Sequence, residues 1–250
     1  MKARRLYQFS VSHYCEKARW VLDYKRVDYE VIELFPGLHR KKLRRLGVPG
    51  SVPVYVDASG ATPTVLGDSM DIALHLERTI ADHPILPVDE ADRAKVLAIA
   101  RDLDHGAGPA VRRYMYGKIL EANALPSVMF AGASGARLAA GRLAAPLLGA
   151  LLKKQYKIDR AGMDKSYARV MAAFDGIEQL TGGDPKRYLV GDTLTLADIT
   201  AASLLGPTVG AAESPWGRTP APASMIALRE ELRARPAGRW ILERYAVDRP

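Results

Sequence analysis

The chain has 250 residues, enough for two domains of ordinary size, and its 48% apolar content supplies a full core. Its net charge of +8 is shared evenly between residues 1–78 and the remainder, and no nucleic-acid-binding module accompanies it, so neither nucleic acid nor membrane is an expected partner. A single cysteine, Cys15, excludes an internal disulfide, and the apolar stretch after Met1-Lys2-Ala3-Arg4-Arg5 is too short for a signal peptide; a cytoplasmic setting is the expectation.

In chain order, residues 3–9 read as a short strand and residues 13–24 as an amphipathic helix, with Ala18, Val21 and Leu22 at helical spacing. Tyr29, Val31 and Ile32 mark a second strand over 28–34, broken by Pro36-Gly37. The basic run Arg40-Lys41-Lys42-Leu43-Arg44-Arg45 lies in a short helix over 38–46 and reads as a solvated face near an anion-binding site. Val52 to Val56, entered through Pro53, and Thr64 to Leu66 are further strands, and Asp68 caps a helix carrying Ile72, Leu74, Leu76 and Ile80. The order βαβαββα fits a thioredoxin-like α/β domain over residues 1–80.

Residues 81–90, with two prolines and two aspartates beside His83, have linker composition, and 91–250 is expected to be an all-helical domain. Ala91 to Leu120 carries a helical pattern interrupted at Gly106 and Gly108-Pro109. Residues 127–152 are rich in Ala, Gly and Leu, but Arg137 and Arg142 leave no charge-free span for a membrane helix. Asp164 to Leu180 is another amphipathic helix. Thr195 and Asp198, within Tyr188-Leu-Val-Gly-Asp-Thr-Leu-Thr-Leu-Ala-Asp-Ile199, form an N-capping box whose role is folding rather than catalysis.

Ser12-His13-Tyr14-Cys15 places a hydroxyl and a thiol three residues apart at a helix N-terminus, where exposed N–H groups and the helix dipole stabilise a sulfur anion. Ser12 reads either as a simple N-cap or as a thiolate-stabilising donor. Cys15 reads either as a small buried hydrophobe or as a low-pKa thiol. His13 is expected to be an exposed first-turn residue, and no metal-ligand spacing is found.

Ser12-x-x-Cys15 with Lys17-Ala18-Arg19, then Val52-Pro53, Asp68-Ser69 and the Thr195/Asp198 box, resemble in this order the cytosolic glutathione transferases of the serine and cysteine classes. The resemblance runs from about residue 3 to about 245 and is weakest over 125–160. It implies that Ser12 donates a hydrogen bond to a bound glutathione thiolate, with Cys15 secondary. It implies a cis bond before Pro53, with Val52 pairing its backbone with glutathione, and Asp68 and Ser69 holding the γ-glutamyl end. One of Lys42, Arg44 or Arg45 would reach the glycine carboxylate. Tyr114, Met115, Tyr116 and Phe130 would line the site of a small hydrophobic electrophile, and Arg112 or Arg113 would attract an anionic one. The implied reaction is conjugation of glutathione to that electrophile, in a homodimer. Two other readings stand beside it: a thiol-disulfide or deglutathionylating enzyme using Cys15, and a non-catalytic ligand-binding protein with the same fold.

Overall fold

The computed structural model describes residues 2–35, 39–48, 50–129 and 135–250. The expected break at Pro36-Gly37 and the lining role of Phe130 lie outside these residues. The first part of the chain builds a four-stranded mixed sheet from β1 (Arg4–Gln8), β2 (Glu30–Glu33), β3 (Val54–Asp57) and β4 (Thr64–Leu66), in the order β2-β1-β3-β4. β1 runs parallel to β2 and antiparallel to β3, and β3 antiparallel to β4. Helices α1 (His13–Tyr24), α2 (His39–Arg44) and α3 (Ser69–Thr79) complete this thioredoxin-like layer.

Strand alternation divides the core. Leu6 and its register partner Tyr55 are buried among Ala18, Val21 and Leu22 of α1 and Ile72 and Leu76 of α3. Tyr7, Val54 and Val56 point to the opposite face and bury Leu43 of α2. The basic run is therefore a solvated surface: Arg40, Lys41, Lys42, Arg44 and Arg45 are exposed and Leu43 alone turns inward.

The rest is helical. α4 (Glu90–Asp102) starts at the Asp89 cap, which accepts from the Asp92 N–H at 2.9 Å. The interruption expected at Gly106 takes the form of a π-helical turn, Leu103–Ala107, running directly into α5 (Gly108–Glu121), with Pro109 in the first turn of α5. α6 (Leu125–Met129), α7 (Gly135–Tyr156) and α8 (Arg160–Thr181) follow.

α9 (Leu196–Val209) is buried along its whole length and packs on α1, α4, α5 and the last two helices, α10 (Ala223–Ala234) and α11 (Pro236–Asp248). Its N-terminus is therefore buried, and the capping box is needed there. The Asp198 carboxylate accepts from the backbone N–H groups of Leu189 and Thr195, both at 2.8 Å, and from the Thr195 hydroxyl at 2.6 Å. Burial pushes Asp198 up to about 6 against those three donors. No helix among the described residues is long and apolar enough to cross a membrane.

Candidate active site

Ser12 is the N-cap of α1, and its Oγ accepts from the Cys15 N–H at 3.4 Å. The loop carrying it is fixed from three sides. The Ser12 N–H donates to Phe9 O at 3.0 Å, the Ser10 N–H donates to Glu33 of β2 at 2.7 Å, and Arg19 Nη2 donates to Ser10 O at 2.9 Å. Arg19 also donates to Gln8 and to Glu16, so the arginine of the Lys17-Ala18-Arg19 motif ties α1 to the end of β1. A hydroxyl oxygen that accepts a backbone N–H keeps its own proton available to donate elsewhere.

Cys15 lies one turn inward and is fully buried. Burial pushes its thiol up to about 11; the Ser12 side chain and Arg19 oppose the rise only in part. Of the two readings of Cys15, the small buried hydrophobe is the one that its surroundings match.

His13 corrects an expectation: it is 5% exposed rather than a free first-turn residue. Its Nε2 donates to Gly108 O at 3.1 Å, because the helical part closes over the start of α1. Burial, helped by the positive charge of Arg112, holds the ring down to about 3, so it is neutral. Next to it, Tyr14 Oη donates to Asp104 O in the π turn at 2.8 Å, and Lys17 Nζ meets Asp104 Oδ2 at 2.6 Å with both side chains almost wholly buried. Burial moves Lys17 down and Asp104 up, each opposed by the other's charge.

A cavity of about 790 Å³ opens between the sheet part and the helices. Ser12, His13, Ser51 and Val52 line it on one side, with His39 and Arg40 of α2 at the edge. Val111, Arg112, Met115, Tyr116 and Ile119 of α5 form the facing wall, closed by Leu148, Leu152, Lys154 and Tyr156 of α7 and by Trp216. Arg40 Nη2 donates to Gln155 Oε1 at 3.4 Å across the mouth. Among the described residues lining the cavity there is no aspartate or glutamate.

The expected site residues are thus partly brought together. Ser12 and Val52 reach the cavity wall, and the Val52–Pro53 bond is cis. Cys15, Pro53, Asp68 and Ser69 are not among the residues that line it. Asp68, exposed at the N-terminus of α3, accepts from the N–H groups of Met70 at 2.7 Å and Asp71 at 3.3 Å, while Ser69 is buried. Met115 and Tyr116 line the cavity; Tyr114 turns away to Tyr167 at a centroid distance of 5.3 Å. Arg113 is committed to Tyr156 O at 2.7 Å and Ser166 at 3.3 Å, which leaves Arg112 as the arginine facing the cavity. His39 and Arg40, rather than Lys42, Arg44 or Arg45, are the basic residues of the 38–46 segment at its edge. Trp216, Lys154 and Tyr156 carried no sequence signal, since they lie far from any motif and reach the site only through helix packing.

A thioredoxin-like sheet followed by a helical bundle, with a capped helix N-terminus opening on the cavity between them, defines the class. Residues 6–84 match the family model for the glutathione S-transferase N-terminal domain. Glutathione S-transferase 1 of Dianthus caryophyllus is 26% identical over 205 residues, covering 79% of this chain and 74% of that protein. A Caenorhabditis elegans protein named "Probable maleylacetoacetate isomerase" is 26% identical over 204 residues, covering 80% and 76%. The crystal structure of the beta-etherase LigF from Sphingobium sp. strain SYK-6 superposes with a TM-score of 0.63 at 17% identity, covering 97% of this chain and 100% of that one, a likeness of fold alone. These relatives' names span more than one reaction.

Proposed function

We propose that the protein is a serine-type glutathione transferase: Ser12 activates the thiol of glutathione for attack on a small hydrophobic electrophile held against α5. The observation that carries this reading is the contrast at the start of α1. Ser12 lines the cavity and its hydroxyl, which accepts from the Cys15 N–H, has its proton free to donate, while Cys15 is buried and neutral. Lowering a thiol pKa by two units takes about 2.7 kcal/mol. A hydrogen bond to the charged sulfur contributes about 1.5–3 kcal/mol, and the helix N-terminus adds about 0.3–1 kcal/mol.

In this reading the cavity mouth takes the tripeptide. His39 and Arg40 supply positive charge for the glycine carboxylate, and the Val52 backbone lies along the peptide. Asp68 and Ser69 at the N-terminus of α3 serve the γ-glutamyl end, with the Asp68 carboxylate balancing the ammonium. The thiol proton leaves to water, the sulfur forms the new bond to carbon, and the leaving group departs with the electron pair. The working form is taken to be a cytoplasmic homodimer, on the strength of the family. The buried thiol of Cys15 disfavours the disulfide-exchange reading, in which it would have to meet a second sulfur.

Ser12→Ala is expected to lower kcat/KM for a model aryl halide by about 10- to 100-fold, the loss of one charge-assisted bond. Cys15→Ala should stay within about threefold of wild type, because no thiolate at that position takes part. Turnover that survives Ser12→Ala and collapses in Cys15→Ala would exchange the two assignments.

A further inference from the structure

The cavity holds two buried donors that no residue of the wall answers. Arg112 makes no ion pair or hydrogen bond among the described residues, and its Nε is a buried atom without a partner. Trp216 is 7% exposed, and its Nε1 is likewise buried and unpartnered. Both residues line the same space, whose wall carries the cations Arg40, Arg112 and Lys154 and no described acid. The Arg112 guanidinium is held instead by aromatic faces, 5.5 Å from the Tyr14 centroid and 4.8 Å from that of Tyr156, which itself stacks on Tyr116 at 5.6 Å. Ring contacts of this kind fix a cation's position without consuming its hydrogen-bonding capacity. Around these donors the wall is apolar: Val111, Met115, Ile119, Leu148 and Leu152.

We infer that Arg112 and Trp216 form an anion-receiving end of the electrophile site, so that the preferred electrophile is an apolar body bearing a carboxylate. A planar carboxylate offers two oxygens to the guanidinium fork of Arg112, in the wall that Trp216 shares. The inference rests on the reading of this cavity as the electrophile site. It makes Arg112 a specificity-determining residue acting on the second substrate, while the basic edge at His39 and Arg40 serves glutathione.

The test compares 4-chloro-3,5-dinitrobenzoate with 4-chloro-3,5-dinitrobenzamide, each enzymatic rate divided by the uncatalysed rate with free glutathione. In both reactions the glutathione sulfur forms a bond to the ring carbon, chloride leaves with the C–Cl pair, and the thiol proton passes to water. Wild type should favour the carboxylate by about tenfold or more in kcat/KM, the usual effect of a hydrogen bond to a charged group. Arg112→Met should abolish that preference, Arg112→Lys should keep part of it, and Trp216→Phe should reduce it. No preference in wild type would overturn the inference. So would a loss in Arg112→Met expressed as a raised KM for glutathione with both electrophiles, which would assign Arg112 to a glutathione carboxylate.

Calorimetric binding of the unreactive 3,5-dinitrobenzoate, without glutathione, separates this inference from the transferase reading. Tighter binding of the benzoate than of 3,5-dinitrobenzamide, levelled by Arg112→Met, upholds the anion site even if no turnover is found. Turnover with no advantage for the carboxylate, in binding or in rate, overturns the anion site and leaves the transferase reading standing.

Discussion

Ser12 and Cys15 stand three residues apart on one helical turn, yet the fold gives them opposite environments. Ser12 precedes the helix and lines the cavity; Cys15, in the first turn of α1, loses all contact with water. The S-x-x-C spacing was legible in the sequence, and burial decides what it means. His13 shows the limit of that legibility: nothing local announces that Gly108, 95 residues on, receives its ring nitrogen. This burial has a consequence for stability. The ring's native pKa is held down to about 3, below its ordinary 6.5, so over that interval the unfolded chain binds a proton that the native state refuses. Its contribution to stability is present above pH 6.5 and is lost as the pH falls towards 3. Asp198, raised to about 6 from 3.8, works with the opposite sign, and comparing variants at one pH cancels it. Between pH 6.5 and about pH 5, wild type should therefore lose about 1–2 kcal/mol more stability than His13→Gln, measured by urea denaturation. Parallel curves for the two proteins would contradict the assignment.

At the scale of elements, the decisive junction joins α1 to the start of α5. Tyr14 Oη reaches Asp104 O, Lys17 meets Asp104, and His13 meets Gly108, so one turn of α1 is bound to the π turn and the residue after it. Gly108 permits the approach: a Cβ there would lie 2.3 Å from Tyr14 Oη and 3.2 Å from Leu204 Cδ1. In an exposed helix Gly→Ala stabilises by about 1 kcal/mol. Here Gly108→Ala should destabilise by about 1–3 kcal/mol in equilibrium denaturation, because the Tyr14 ring must move and release Asp104. A stabilised variant would show that the junction gives way freely. The sequence showed Gly106 and Gly108-Pro109 as an interruption, but a π turn differs from an α-helical turn only by one extra residue in the hydrogen-bonded ring, which no pattern of apolar residues encodes. By contrast the Thr195/Asp198 box was readable, since a capping box depends on residues three apart. Helices α10 and α11 went unread because their burial is set by α9, a partner of no fixed spacing.

Across the whole molecule one buried cluster runs from Leu6 and Tyr55 in the sheet part through α1 and α9 to Trp240 and Tyr245 in α11. The last residues close it further: Arg249 bonds Glu16 at 3.0 Å and Asp23 at 2.8 Å on α1. Because that cluster joins both parts, unfolding should be a single transition, with near-ultraviolet and far-ultraviolet signals coincident in urea. Two separated transitions would mean that the sheet and helical parts fold independently. The resemblance was legible from short motifs, because Val52-Pro53, Asp68-Ser69 and the capping box are local. The cavity's chemistry was not, because Arg40, Arg112, Lys154 and Trp216 come from four separate stretches of chain and only the folded whole places them on one wall. The central claim is that Ser12 ionises the thiol of bound glutathione, and the most direct measurement is the ultraviolet thiolate absorbance of the glutathione complex titrated against pH. Wild type should show half-ionisation about two units below the value near 8.5 of a free thiol, with Ser12→Ala returning it towards that value. Identical titrations in the two proteins, or no bound thiolate in wild type, would contradict the account.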